Sequence, residues 1–498
     1  MDFFSESYLS AYFPRLVDVC INDDGQLVYV ILQNGKLIMS QEYSTDRENY
    51  VLPDRQHFPF ALARAAEVIR YYEMQDDTLY EDVLSYLKRF SALDDEQWAI
   101  VAHYVFLTYL HDHPAIDYCP YLLFNAVPER GKSRTGKSII YIAFRGIHLV
   151  ELREANIFRY SENLHGTLFF DIMDISKKAE RSNCDDMLLL RYERGAKCSR
   201  VLHPDRGAFN DTVYFDIYGP TIIASNKQPD DILETRCLPI IMPNRPDNYE
   251  NPRKELGLAL KARLTAWRAK NFQVELADIE SIEDISGRLW DITKPLFLVN
   301  ALLPVDRGIL KYSIQTIAGE KEKSRKGTVE GYLVAVIRDI TIEKGLDKFD
   351  EWNINISEIR AKYNQGKPED RHVSAQWIGK RLKSIGFRNR IVHGYSQIRI
   401  DHQEYETLIK QYGFIESEIL KPTQTLPIKD EHNRDDLREV ENGRELTEAR
   451  EHSFDSPGDR EFYEMQEQQR EYFAHVKAEE HRESEDQETG DNQDAIPF

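Results

Sequence analysis

The residues best equipped for chemistry lie in one run, Gly131-Lys132-Ser133-Arg134-Thr135-Gly136-Lys137-Ser138, which fits G-x-x-x-x-G-K-[S/T] at every fixed position. In that spacing Gly131 and Gly136 let backbone N–H groups wrap a phosphate chain, with Arg134 and Thr135 between them. The Lys137 ammonium can reach β- and γ-phosphates, and the Ser138 hydroxyl can hold Mg²⁺. An apolar run at residues 121–127 precedes the loop, and helix-compatible residues beginning with Ile139 follow it. The loop is therefore expected at a helix N-terminus, which attracts anions, with ATP and Mg²⁺ as ligands.

A nucleotide-bound Mg²⁺ also needs an acidic residue at the end of a neighbouring buried strand. Thr167-Leu168-Phe169-Phe170-Asp171 supplies Asp171, which with Ser138 makes the expected metal pair. Asp174 is the nearest further carboxylate, and two roles are open to it: activating the attacking water, or capping a helix that carries Lys177 and Lys178. A third apolar strand, residues 220–226, ends in Asn226, whose amide can position the water. Arg236, in Thr235-Arg236-Cys237, either reaches a nucleotide held by an adjacent subunit as an arginine finger or forms a structural ion pair.

The elements that must position these residues follow from periodicity. Residues 26–39 alternate around Asn34-Gly35, a dipeptide suited to a type I′ hairpin, and place a small β-containing module at 1–56. Helical spacing, as in Val83, Leu84 and Leu87, marks a helical segment at 57–118. Apolar runs at 121–127, 168–170, 221–224 and 238–242 alternate with helical stretches across 119–250, the pattern of a parallel sheet covered by helices. Residues 251–318 read as a helical lid and 319–327, rich in Lys, Glu and Ser, as a linker.

Taken together, residues 121–303 resemble the AAA+ ATPases of plasmid, phage and integrated-element replication proteins, particularly an uncharacterised ATPase domain fused to primase modules. The resemblance rests on Gly131–Ser138, Asp171, residues 191–196, Phe215–Pro220 with Asn226, Thr235-Arg236 and Gly287-Arg288-Leu289-Trp290-Asp291. It implies a P-loop α/β domain with a lid, assembly into a homo-oligomeric ring, contact with other replication proteins, and a γ-phosphate-sensing role for Arg288. Enzymes of that kind carry a water-activating glutamate directly after the aspartate, where this chain has Ile172. Residues 1–120 hold no primase-type metal cluster, so primase activity is not implied.

Near the C-terminus the charge reverses. Residues 371–400 contain Arg371, Lys380, Arg381, Lys383, Arg388, Arg390 and Arg399 and no Asp or Glu. Ser374 can cap a helix to Ile385 with Ile378, Leu382 and Ile385 inward and Gln376, Lys380 and Lys383 outward. With Ile354–Tyr363 as supporting helix and a hairpin around His393-Gly394, this segment, 328–415, reads as a winged helix-turn-helix. Gln376, Lys380, Arg381, Lys383, Arg388 and Arg390 are its expected DNA contacts. A protein-docking winged helix is the other reading.

The chain's 498 residues are 41% apolar, enough for several cores, yet they offer no run of ~20 apolar residues that could span a membrane. An acidic N-terminus in place of a basic leader fits a cytoplasmic protein. Five scattered cysteines without a C-x-x-C pair read as free thiols. Of the net charge of -21, -13 resides in residues 421–498, a polar stretch that reads as a disordered tail. The functional expectation is a DNA-coupled ATPase, a helicase or replication-initiation motor. An ATP-switched DNA-binding regulator and a P-loop phosphotransferase are the competing readings.

Overall fold

The computed structural model describes residues 7–45, 48–207, 209–244, 248–282, 285–392 and 394–414. The tail expected at 421–498 lies outside the described residues. At the centre is a parallel sheet of five strands: β1 (Tyr121–Asn125), β2 (Ile147–Leu149), β3 (Leu168–Asp171), β4 (Thr221–Ser225) and β5 (Cys237–Ile241), in the order β5-β1-β4-β3-β2. Leu122, Leu123, Phe124, Phe169, Phe170, Ile222 and Ile223 are fully buried, as strands covered on both faces must be. The register sets Ser225 and Ile241 beside Asn125 and Ala224 beside Asp171, so the carboxyl ends of the strands share one edge. Ligands of open α/β sheets settle outside that edge, where the strand order reverses.

The helix Asp95–Leu110 is buried almost all round; Tyr104 donates to the Thr221 carbonyl of the sheet (2.8 Å) and Tyr109 to the Ile142 carbonyl at the end of the helix Lys132–Ile142 (2.9 Å). Helices Leu258–Asn271, Gly287–Ala301 and Arg307–Lys326 pack against it. These occupy the region expected to be a lid, but a helix as apolar as Asp95–Leu110 needs cover on its outer side, and they supply it. The expected linker at 319–327 is instead the last turns of Arg307–Lys326, held by Lys321 donating to the Cys237 carbonyl (3.1 Å).

The N-terminal hairpin forms between Leu27–Gln33 and Lys36–Ser40, and Asn34 and Gly35 take φ of +50° and +73°, the two left-handed residues of a type I′ turn. A buried ion pair, Arg145 Nε to Asp18 Oδ1 at 2.8 Å, binds this module to the rest, and Arg268, itself paired through Nη1 with Asp112 Oδ1 at 2.6 Å, donates from Nε to the Val17 carbonyl. One apolar cluster runs from Ala11 to Ile317. The segments expected at 1–56, 57–118, 119–250 and 251–318 are therefore parts of a single body.

A second apolar cluster, Leu333 to Leu408, belongs to the C-terminal segment. Its order is helix Val329–Glu343, strand Glu351–Asn355, helices Ile356–Asn364 and Ala375–Ser384, strands Asn389–Val392 and Tyr395–Asp401, and helix His402–Gln411. The middle strand of its antiparallel sheet is Tyr395–Asp401. Ile354, expected in the supporting helix, pairs with Ile398 in the sheet instead.

Arg191 fixes the entry to β4. Fully buried, it donates to Thr221 Oγ1 (2.9 Å), to the carbonyls of Ile217 (2.8 Å), Gly166 (3.0 Å) and Pro220 (3.2 Å), and to Ser161 Oγ. Burial pulls its pKa down to about 10, and carbonyl dipoles rather than a carboxylate hold its charge. Gly219 passes beside it with φ +154°, and a Cβ there would stand 2.9 Å from Arg191 Nη2. Arg191→Leu should therefore lower unfolding free energy by about 3 kcal/mol or more, since several buried carbonyls lose their donor at once. Gly219→Ala should cost less but in the same direction. Urea unfolding midpoints of the two variants against the parent check the ranking.

Candidate active site

Strand β1 ends at Asn125, a loop spans 126–131, and a helix runs from Lys132 to Ile142 with Gly131 as its N-cap at φ +83°. A helix leaves its first N–H groups unspent; here Thr135 N–H is bonded inside the helix, to the Gly131 carbonyl (2.9 Å). The donors available to a phosphate therefore precede Thr135. Lys132, in the first turn, sends its ammonium across the loop to the carbonyls of Ala126 (2.6 Å) and Val127 (2.8 Å). Ser133 Oγ donates to Asp171 Oδ1 at 2.9 Å.

In this geometry the strand–loop–helix unit begins five residues earlier than the expected 131–138 register. The expected Gly136, Lys137 and Ser138 lie mid-helix, where backbone N–H groups are consumed by the helix itself. A Cβ on Gly136 would fall 2.2 Å from the Phe169 ring, so that glycine serves close packing of the helix on β3. Ser138 is buried and donates to the Thr135 carbonyl (2.8 Å); Ile139 is wholly in the core. Thr135 Oγ1 turns to Ser91 Oγ (2.7 Å). Arg134 and Gly131 keep their place at the site. The strand–loop–helix unit with a lysine and a hydroxyl in the first turn is Ala126-Val127-Pro128-Glu129-Arg130-Gly131-Lys132-Ser133, and Ala126 stands where the motif has its first glycine.

Two clefts meet at this loop. One, about 390 Å³, lies between the loop, Phe90–Ala92 and Met242–Asn244, with Tyr249 at its side. The other, about 620 Å³, lies between the loop and Asp171, Ile172, Met173, Ala224 and Asn226. Arg134 lines both. Ser133 and Asp171 offer a hydroxyl and a carboxylate at the second cleft, the hard oxygen ligands that suit Mg²⁺. Desolvation depresses the Lys132 pKa, while the Asp171 charge opposes that shift.

His148 on β2, absent from the sequence expectations, stacks on Phe169 (4.9 Å between ring centroids) and sets Nε2 3.9 Å from Asp171 Oδ2. Burial and the nearby Lys137 charge lower its pKa. Glu129, with φ +66°, is the other carboxylate lining the clefts among the described residues.

Asn226 lies at the second cleft as expected, but Asp174 does not line it. Asp174 caps the helix Ile175–Arg181 by accepting from Lys177 N–H and pairs with Lys227 Nζ at 3.3 Å. Arg236 and Arg288 lie at the opposite, amino edge of the sheet. The Arg236 carbonyl accepts from Tyr121 N–H (3.0 Å), and its guanidinium donates to the Leu189 carbonyl (2.7 Å) and faces the Tyr192 ring at 5.1 Å. Arg288 donates to the Tyr192 hydroxyl (3.1 Å), and the Tyr192 carbonyl accepts from Cys119 N–H just ahead of β1. A five-residue strand, about 16 Å, separates these arginines from the loop, so Arg288 cannot sense a phosphate in its own chain.

In the C-terminal segment Gln376, Lys380, Lys383, Arg388 and Arg390 are exposed. Arg381 is not available as expected: Nη1 donates to Glu330 Oε1 (3.1 Å) and the guanidinium stacks over Trp377 at 5.6 Å. Between β3 and β4 the chain inserts a hairpin, Lys197–Val201 with Thr212–Asp216, that periodicity did not disclose; beyond its strands Phe209 is 99% exposed.

No family model matches the sequence, and no curated protein matches it. The chain is similar in structure to the C-terminal region of NrS-1 (10% identity, TM-score 0.32, covering 77% of this chain and 95% of that one). It is also similar to Cch of SCCmec type IV, described as an active helicase (12%, TM-score 0.31, 81% of each chain). A third similarity is to Drosophila ORC bound to DNA (11%, TM-score 0.17, 74% of this chain and 96% of that one). Likeness of that degree decides nothing about activity, which rests on the geometry above. No helix among the described residues is long and apolar enough to cross a membrane, and no cluster of three metal-ligating side chains occurs among them.

The register is testable by substitution. Lys132→Ala should weaken ATP binding by about 100-fold, the value of two lost charge-assisted hydrogen bonds, whereas Lys137→Ala should bind nearly as the parent does. Titration with a fluorescent ATP analogue measures both, and the reverse order would restore the 131–138 register. Asp174→Ala should cost about 1 kcal/mol of stability as a lost cap and leave ATP turnover unchanged.

Proposed function

We propose that the protein is an AAA+-like ATPase that hydrolyses ATP between subunits and couples it to DNA, as a helicase or replication-initiation motor. The observation that carries this reading is the meeting of Lys132 and Ser133, in the first helical turn, with Asp171 at the end of a neighbouring buried strand. On binding, Lys132 would exchange the carbonyls of Ala126 and Val127 for β- and γ-phosphate oxygens, while the N–H groups ahead of Thr135 take the chain of phosphates. Ser133 and Asp171 would hold Mg²⁺, which when bound neutralises charge on the phosphates. The nucleoside would lie in the cleft of Phe90, Met242 and Tyr249, and the Asn226 amide would orient the attacking water.

Arg236 fits a finger acting on a neighbour's nucleotide, since its position at the amino edge excludes its own. The C-terminal segment, read as a winged helix, would place Gln376, Lys380, Lys383, Arg388 and Arg390 on DNA. Ile172 favours a second reading, a DNA-binding regulator switched by bound ATP: an aliphatic side chain follows Asp171 where a base would activate water. ATP consumption with and without DNA separates the two, since a motor turns over many ATP molecules per chain and accelerates on DNA, while a switch stalls after one. Arg236→Ala should bind ATP normally and hydrolyse it slowly. Mixed with Lys132→Ala subunits it should regain part of the activity, because each working interface needs one intact residue from each chain. Absence of recovery in demonstrably mixed oligomers would give Arg236 a purely structural role.

A further inference from the structure

The turn end of the hairpin Asn389–Val392 with Tyr395–Asp401 is bare of the packing that the rest of the C-terminal segment enjoys. Ile398 and Ile400, farther along its second strand, are fully buried, yet near the turn Ile391 is 81%, Tyr395 63% and Val392 39% exposed. The register pairs Val392 with Tyr395 and Arg390 with Gln397, so alternation puts Arg390, Val392, Tyr395 and Gln397 on one face of the ribbon. The other face carries Ile391 and Asn389, whose amide donates to the Gly379 carbonyl (3.1 Å) and so looks toward the helix Ala375–Ser384. The core does not need Val392 and Tyr395, and an exposed pair of them beside Arg390 on one face marks a contact surface.

The surrounding charge narrows the partner. Residues 372–400 contain no Asp or Glu; Arg388 and Arg390 are exposed on the chain leading to the turn, and Lys380 and Lys383 are exposed on the helix Ala375–Ser384. A partner that meets cations and flat apolar surface within one short ribbon must alternate anionic groups with planar, apolar faces. Unpaired nucleotides do so; the bases of an intact duplex are already stacked on one another and offer only their edges.

We propose that Val392 and Tyr395, with Arg390 on the same face, form a stacking site for unpaired nucleobases at a single strand or an opened duplex end, Arg388 and Arg390 holding the flanking phosphates. This rests on the DNA-coupled reading above and goes beyond it, because helix contacts with phosphate discriminate poorly between paired and unpaired DNA, whereas an aromatic platform takes only bases that have left the stack. A stacked base is held by Tyr395 without regard to its identity, so preference is for structure rather than sequence.

The test uses the full chain and two DNA molecules of equal length, a blunt duplex and a fork with 2-aminopurine at the junction. The parent should bind the fork more tightly, by about tenfold for one stacked base, and alter the 2-aminopurine fluorescence. Tyr395→Ala with Val392→Ala should bring fork affinity down to duplex affinity and abolish the fluorescence change, while Tyr395→Phe, which keeps the ring, should behave as the parent. Lys380→Ala with Lys383→Ala should weaken both DNA molecules alike. If the parent binds duplex and fork equally, or the double variant keeps its fork preference, the stacking site is overturned while the DNA reading stands. If the parent binds neither molecule at low salt, the DNA reading falls and the turn is better explained as a protein-docking surface.

Discussion

A polyphosphate can be received only by donors that the fold has not already spent. Everything at this site depends on where the chain enters its helix, because each residue taken into the helix surrenders its N–H to a carbonyl four residues back. The chain enters at Gly131, whose positive φ closes the loop, and the residues just inside are Lys132 and Ser133. The sheet register then fixes the rest. β3 lies two strands from β1, with β4 between them, and still brings Asp171 within hydrogen-bond distance of Ser133, because the first turn of the helix leans over the carboxyl edge that all three strands share.

That dependence accounts for what the sequence disclosed and what it hid. The strands, the parallel sheet, Asp171 and Asn226 were legible because an apolar run that ends in a polar residue fits a buried strand surfacing at a sheet edge and fits little else. The register was not, because G-K-S occurs twice, five residues apart, and only the second copy has a glycine five positions ahead. Ala126 hides the first copy from the pattern. The usable signal was distance from the strand: a phosphate loop begins where the strand ends, and Asn125 is adjacent to Ala126. The second copy's glycine answers to Phe169, which leaves no room for a Cβ. The helical cover was misread as a lid because amphipathic spacing shows that a face is buried without showing against what.

The same ambiguity affects charge. Arg191, Arg236, Arg288 and Arg381 look alike in sequence, as arginines near apolar strands or helices. Their environments differ: Arg191 is wholly spent on carbonyls and hydroxyls at the entry to β4, Arg381 on Glu330 and Trp377, and Arg236 and Arg288 share the face and hydroxyl of Tyr192. Burial and partners, which sequence does not report, separate a keystone from a group free to meet an anion.

Sheet polarity joins these observations. Parallel strands give the two edges different equipment: unspent N–H groups, Lys132, Ser133 and Asp171 at the carboxyl edge, and paired guanidiniums around Tyr192 at the amino edge. One copy cannot bring its two edges together, since the strands hold them apart. Copies stacked edge to face can, and the arginines are held by carbonyls and an aromatic ring rather than by carboxylates, interactions weaker than an ion pair and more readily exchanged for phosphate. Contacts of that kind at Arg236 and Arg288 are what a site completed between subunits requires, because a guanidinium already locked to a carboxylate would have to break an ion pair before it could meet a neighbour's nucleotide.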